Sequence, residues 1–191
     1  MDLLILLALI LLNGVFAMSE MSVVAARKSR LQQWVDEGRP GASGALALAN
    51  EPGHFLSTIQ VGITVIGVLT GAIGGMTVAQ RLEESLARIP WIGPHANAVA
   101  LGIVVAGITV ASVIFGELVP KRIALLNPEG VASVLARPLQ LLSRLAYPAV
   151  RALALLTDLV LRLLGAGGAP ERPVSEEEIN VLMEQGAEAG V

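Results

Sequence analysis

The sequence predicts an all-α membrane protein with three transmembrane helices, and composition is the first observation that predicts it. Apolar residues make up 54% of the 191 positions and charged residues only 15%, and the mean hydropathy is +0.70. A soluble domain normally carries about 25% charged residues. The second observation is three apolar stretches, at about residues 3–26, 55–80 and 96–119. Each is long enough to cross a bilayer, which takes about 20 residues.

The same composition excludes several classes of site. The absence of cysteine from the sequence excludes disulfides, thiolate metal sites and a cysteine nucleophile. With only His54 and His95, a multi-histidine site for a soft metal is nearly excluded. No basic patch alternates with aromatic residues, so nucleic acid is not an expected partner. A serine hydrolase would need a base beside Ser19 or Ser22, and both histidines lie in loops, so no enzyme is predicted.

The distribution of basic residues predicts the orientation in a cell (inner) membrane. Segment 81–95, between the second and third spans, has two arginines that Glu83 and Glu84 offset. Because basic residues favour the cytoplasmic side, we expect the N-terminus outside and the C-terminus in the cytoplasm. The basic residues that follow the first and third spans are Arg27, Lys28, Arg30, Arg39, Lys121, Arg122, Arg137, Arg144 and Arg151.

Two segments outside the spans are predicted to be helical. Residues 27–54 form a short cytoplasmic helical hairpin under the membrane. Residues 131–164 carry charge on one face only, at a spacing of seven residues. A charge at the bilayer centre costs about 2.5–3.5 kcal/mol, so we expect an amphipathic juxtamembrane helix, kinked at Pro148, rather than a fourth span. Its charged positions are Arg137, Arg144, Arg151 and Asp158.

The C-terminal stretch differs from the rest of the chain. Residues 1–164 are predicted to be the transmembrane domain. Residues 165–191 begin with a Gly/Pro-rich linker, and Ser175 to Glu178 form a capping box that starts a new helix. We therefore expect 165–191 to be the linker and the start of a truncated cytosolic domain.

Glu117 lies within the third predicted span, and an ionisable residue inside a membrane indicates function. The alternative is an ion pair with Lys121, one helical turn further on. Pro120 has no N–H, so the carbonyl of Gly116 loses its helical donor and the helix is expected to kink there. In a bilayer, that carbonyl must find another donor, a water or a cation.

Polar groups on the other spans are predicted at a similar depth. Ser19 and Ser22 are three residues apart and share one face of the first helix. The alternative for a single serine is a hydrogen bond to its own helix. Asn13 lies deeper and is expected to bond across helices. Gln60 and Thr64, on the second span, are further secondary candidates.

The candidate ligands on these spans are all oxygen atoms. Oxygen ligands suit Mg²⁺, Ca²⁺, Mn²⁺ or Na⁺. Glu20 is rotated by about 100° from Ser19 and is expected to pair with a basic residue of the inner loop. The predicted metal ligands are therefore Ser19, Ser22, Gly116 and Glu117.

A stripe of small residues runs along one face of the second span. Gly67, Gly71 and Gly75 recur every four residues and allow another helix to approach closely. The stripe serves packing within the chain or between two copies, and the sequence leaves both open.

Three motifs carry a family resemblance. The first is Leu12-Asn13-Gly14-Val15-Phe16 with Glu20 and Ala25-Ala26-Arg27-Lys28-Ser29-Arg30-Leu31, and the second runs from Phe55 to Thr64. The third and most specific is Phe115-Gly116-Glu117-Leu118-Val119-Pro120-Lys121. Together they resemble the transmembrane domain of the CorC/cyclin M (CNNM) family of magnesium transporters, over nearly the whole chain.

The resemblance implies a homodimer of three-span subunits that exports Mg²⁺ by alternating access, with Na⁺ as the coupling ion. It implies a dehydrated Mg²⁺ between the first and third helices, held by Ser19, Ser22, Gly116 and Glu117. It also implies a cytosolic CBS pair that binds ATP, outside these 191 residues. The alternative function is a non-transporting membrane Mg²⁺ sensor that signals to that cytosolic domain.

Overall fold

The computed structural model describes residues 2–165, and no strand occurs among them. The prediction of an all-α fold is confirmed. The predicted linker and capping box lie outside the described residues, apart from Gly165. The chain divides into two compact units, 1–150 and 151–191. In the second unit, the described residues are helical as far as Leu163, and their side chains are exposed.

Three helical segments are long and apolar enough to span a membrane, as predicted. The first is helix α1, Asp2–Ala25. The second comprises α4 (Pro52–Ile73), a π-helical turn (Gly74–Val78) and α5 (Ala79–Leu86). The third comprises a 3₁₀ turn (Gly93–His95), α6 (Ala96–Val113), a π-helical turn (Ile114–Leu118) and α7 (Val119–Leu126).

The remaining helices lie between the first two spans and after the third. Helices α2 (Lys28–Asp36) and α3 (Ala42–Asn50) occupy the predicted hairpin segment. Helix α8 (Pro128–Leu163) begins three residues before the predicted start and contains both Pro138 and Pro148.

Buried apolar side chains join the short helices to the first part of α8. Leu31, Phe55 and Ile59 are almost fully buried. Gly41 has a φ of 80°, which favours glycine, and an added Cβ there would overlap the carbonyl oxygen of Ser133. The cluster consists of Val23, Leu31, Ala45, Leu48, Ala49, Phe55, Ile59, Ala132, Ala136 and Leu139.

A buried carboxylate holds the start of α8 against the end of α1. The Glu129 residue is only 2% exposed. Its Oε1 accepts a hydrogen bond from the backbone N–H of Arg27 at 3.2 Å, and its Oε2 lies 3.7 Å from the Arg30 guanidinium. A buried charge needs such partners, because otherwise its desolvation is costly. Glu129 therefore fixes where the juxtamembrane helix begins.

Candidate functional site

The third span changes its hydrogen-bond pattern just before Pro120. The backbone N–H of Val119 donates to the carbonyl of Ile114, five residues back, and the turn Ile114–Leu118 is π-helical. Single π turns of this kind are rare in proteins overall, but those that occur often lie at functional sites. Gly116 is buried within this turn. Because Pro120 has no N–H, the carbonyl of Gly116 is free to bond outside its own helix.

The donor to this carbonyl comes from the first span. The side-chain Nδ2 of Asn13 donates a hydrogen bond to Gly116 O at 3.0 Å. The other polar atom of the same side chain, Asn13 Oδ1, is buried and has no hydrogen-bond partner. An unsatisfied buried oxygen is uncommon in proteins, because an unmade hydrogen bond costs about 1–3 kcal/mol. Asn13 Oδ1 is therefore an oxygen available to a donor or a cation.

Two glycines allow α1 and the third span to touch at this level. A Cβ added at Gly14 would lie 2.8 Å from Phe115 O and 2.9 Å from Pro120 Cγ. A Cβ added at Gly116 would lie 3.2 Å from Asn13 Nδ2. The role of Gly14 was not predicted from the sequence, although its position beside Asn13 in the first motif was a signal that could have found it.

Ser19 and Ser22 are fully buried on α1, and both hydroxyls bond to their own helix. Ser19 Oγ donates to Val15 O at 2.6 Å, and Ser22 Oγ donates to Ser19 O at 2.9 Å. Each bond uses the hydroxyl hydrogen, so the oxygen lone pairs remain available. No hydrogen bond within residues 2–165 joins either serine to Gly116 or Glu117.

The serines lie at a different level from the Asn13–Gly116 contact. Ser19 follows Asn13 by six residues and Ser22 by nine, which is about 9 Å and 14 Å along the helix axis at 1.5 Å per residue. The structure therefore places the buried oxygens of α1 at two successive levels.

Glu117 forms the ion pair with Lys121 that the sequence analysis gave as the alternative. Its side chain is 51% exposed, and its Oε1 lies 2.8 Å from Lys121 Nζ. The same ammonium lies 4.0 Å from Glu20 Oε2. The expectation that Glu20 pairs within the inner loop is wrong, because its partner Lys121 lies in α7, in the third span. One lysine ammonium thus lies between two carboxylates.

The secondary candidates on the second span lie in other surroundings. Gln60 and Thr64 are both exposed, and Thr64 Oγ1 donates to Gln60 O at 2.9 Å. The buried residues of this stretch of α4 include Thr58 and Ile59 instead.

The part of the chain that the structure describes contains no group of three or more His, Cys, Asp or Glu residues that could hold a metal. A cation would depend on neutral oxygens, namely the Gly116 carbonyl, the Asn13 amide and the two serine hydroxyls, with Glu117 as the nearby charge. Such a set of oxygen donors suits hard cations, which prefer oxygen ligands.

Comparison with known proteins agrees with the motifs. Residues 4–191 match the family described as the cyclin M transmembrane N-terminal domain. The chain belongs to this cyclin M family. It is a multi-pass membrane protein, and the resemblance seen in the sequence is confirmed.

The relatives of this cyclin M chain include proteins with and without a named activity. A UPF0053 protein of Synechocystis sp. is 47% identical over 191 residues, covering 100% of this chain and 43% of the relative. The polyamine export protein of Haemophilus influenzae is 30% identical over 187 residues, covering 96% and 42%. That of Escherichia coli K12 is 26% identical over 190 residues, covering 100% and 42%. The chain thus spans less than half the length of these relatives, and none of the three carries an enzyme name.

Proposed function

We propose that this cyclin M domain transports Mg²⁺ by alternating access, with export coupled to Na⁺. The observation that carries the proposal is Asn13 Oδ1, an oxygen that is buried where α1 meets the third span and has no hydrogen-bond partner. In a bilayer, oxygens without donors are favourable only when water or a cation satisfies them.

The proposed ion is a dehydrated Mg²⁺ bound by Gly116, Glu117, Ser19 and Ser22, with Asn13 added to that set. Mg²⁺ requires ligand distances of about 2.0–2.1 Å, so oxygens about 9 Å apart along a helix reach one ion only after the helices move or the side chains reorient. We infer that such a movement brings the two levels of α1 around one ion. Alternating access likewise moves one part of a transporter against another around the bound ion.

The charge balance of the proposed site favours release over storage. A single carboxylate only half neutralises a divalent ion, and Glu117 is held by Lys121 at 2.8 Å. Mg²⁺ therefore competes with the lysine ammonium for this carboxylate. The binding is correspondingly weak, which suits a transporter because the ion must leave.

The test is Mg²⁺ flux in proteoliposomes that contain the full chain, with and without a Na⁺ gradient. We expect flux that depends on the gradient and is lost in Glu117→Gln, while the control Glu84→Gln keeps it. Mg²⁺ binding without any flux would overturn the transport proposal and favour the alternative, a membrane Mg²⁺ sensor. Mg²⁺ flux that is the same with and without the Na⁺ gradient would contradict the proposed coupling to Na⁺.

A second candidate substrate is an organic polyamine, because two of the three relatives described above are named polyamine export proteins. The supporting observation is Lys121, whose alkylammonium lies 2.8 Å from Glu117 and 4.0 Å from Glu20. A polyamine carries the same group. In the same proteoliposomes, spermidine export that is lost in Glu20→Gln and in Glu117→Gln would favour the polyamine, whereas Mg²⁺ flux unaffected by spermidine would exclude it.

A further inference from the structure

A cavity of about 530 Å³ lies between α3, the start of α4 and the middle of α8. It shares no residue with the proposed cation site, so its ligand is independent of the proposed function. Six residues line it: Leu48, His54, Gln140, Ser143, Arg144 and Tyr147.

The walls of this cavity are held by contacts between the helices. The His54 ring stacks on Tyr147, with centroids 5.1 Å apart and planes at 15°. Ser143 Oγ lies 3.3 Å from both His54 Nδ1 and Thr58 Oγ1. Gln140 Nε2 donates to Gly44 O at 3.3 Å. The polar groups are therefore positioned before any ligand arrives.

The charge of the lining selects an anion. Arg144 is exposed, and none of the ion pairs within residues 2–165 involves it. No carboxylate is among the six lining residues, whereas an imidazole and a serine hydroxyl line the same cavity as the guanidinium. A guanidinium with neighbouring neutral donors is the arrangement that recognises phosphate oxygens.

The position of the cavity favours a phosphate carried by a lipid. His54 lies in the first turn of α4, where the second span begins, so the cavity is at the level at which a bilayer presents its headgroups. Leu48 and Tyr147 give it apolar walls beside the charged group. Basic pockets between transmembrane helices bind anionic headgroups in this way.

We propose that this cavity binds the headgroup phosphate of an anionic phospholipid. The guanidinium of Arg144 pairs with the phosphate oxygens, His54 and Ser143 contribute hydrogen bonds, and Leu48 and Tyr147 contact the apolar part of the lipid. A bound lipid would join α8 to the start of the second span.

The test is native mass spectrometry of the purified full chain in detergent, titrated with phosphatidylglycerol, phosphatidylcholine and inorganic phosphate. We expect wild type to bind phosphatidylglycerol about tenfold more tightly than phosphatidylcholine, as a specific charge contact predicts. Arg144→Gln should lose most of that preference. The control Arg137→Gln should keep it, because Arg137 is also exposed on α8, one heptad earlier, and does not line the cavity.

Three results would overturn the proposal. Equal losses in the two variants would mean attraction to a diffusely charged helix. Equal affinity for the two lipids in wild type would mean that the cavity does not select an anionic headgroup. Displacement of phosphatidylglycerol by millimolar inorganic phosphate would assign the cavity to soluble phosphate instead. Because Arg144 is exposed, Arg144→Gln is expected to unfold at the same temperature as wild type. A thermal unfolding scan of the two proteins is the folding control.

Discussion

The side-chain amide of Asn13 donates to the carbonyl of Gly116 at 3.0 Å, and this bond links the first span to the π-helical turn of the third. The oxygen of the same amide, Asn13 Oδ1, is buried without a partner. One side chain thus satisfies the carbonyl that Pro120 frees and leaves an oxygen at the helix contact.

Replacing Asn13 by leucine tests both functions of this side chain. Asn13→Leu should lower the free energy of unfolding by about 1–3 kcal/mol, because Gly116 O loses its donor. We also expect Mg²⁺ affinity to fall by about tenfold, as the loss of one ligand to a charged group predicts. Thermal unfolding and calorimetry measure the two effects.

The matched control is Asn97→Leu. The amide of Asn97 bonds to Glu83 at 2.8 Å in exposed surroundings, so its loss should change neither quantity. The interpretation of Asn13 is wrong if the two leucine variants behave alike.

Gly14 is predicted to be intolerant of a single added methyl group. In Gly14→Ala the new Cβ would meet Phe115 O and Pro120 Cγ at under 3.0 Å, so the helices must separate. We expect a loss of about 1–3 kcal/mol in unfolding free energy, typical of overpacking. Gly107→Ala is the control, since a Cβ there meets nothing within 4 Å. Thermal scans that show the same change for both would contradict the close contact.

Glu129 is predicted to stabilise the junction between α1 and α8. In Glu129→Ala the backbone N–H of Arg27 loses its acceptor, and we expect a loss of about 1–3 kcal/mol in unfolding free energy. The exposed Glu84, changed to alanine, should have little effect. Urea or thermal unfolding in detergent compares the two, and equal stability of both variants would remove the anchoring role.

Much of the fold was predictable from the sequence, because uninterrupted apolar stretches and periodic charges follow directly from what a bilayer requires. The free carbonyl of Gly116 was also predictable, because it depends only on Pro120. The donor that bonds to this carbonyl could not be predicted, because Asn13 and Gly116 are 103 positions apart in sequence and meet only through the register of their two helices.

Burial of charge was harder to predict. An acidic residue in the first turn of a helix, such as Glu129, normally indicates a favourable dipole at the surface. The two residues that contact it, Arg27 and Arg30, are about 100 positions earlier in the sequence, so this contact depends on the tertiary fold. In the same way, the spacing of Gln140, Ser143 and Tyr147 indicates one face of α8, but not the partner helices that complete the cavity.

Lys121 is predicted to compete with the transported cation for Glu117. Lys121→Gln removes the ammonium at 2.8 Å, so Mg²⁺ affinity should rise by about twofold to fivefold, the equivalent of up to about 1 kcal/mol for an exposed pair. Arg122→Gln removes the same charge at the next position and should raise affinity less. Calorimetry that gives equal increases would assign the effect to net charge alone.

The most direct test is a calorimetric titration of the purified full chain with Mg²⁺, comparing wild type, Glu117→Gln and the control Glu83→Gln. We predict measurable binding to wild type and to Glu83→Gln, and a loss of about tenfold or more in Glu117→Gln, because the proposed carboxylate ligand is neutralised. Unchanged Mg²⁺ affinity in Glu117→Gln would contradict a cation site between the first and third spans.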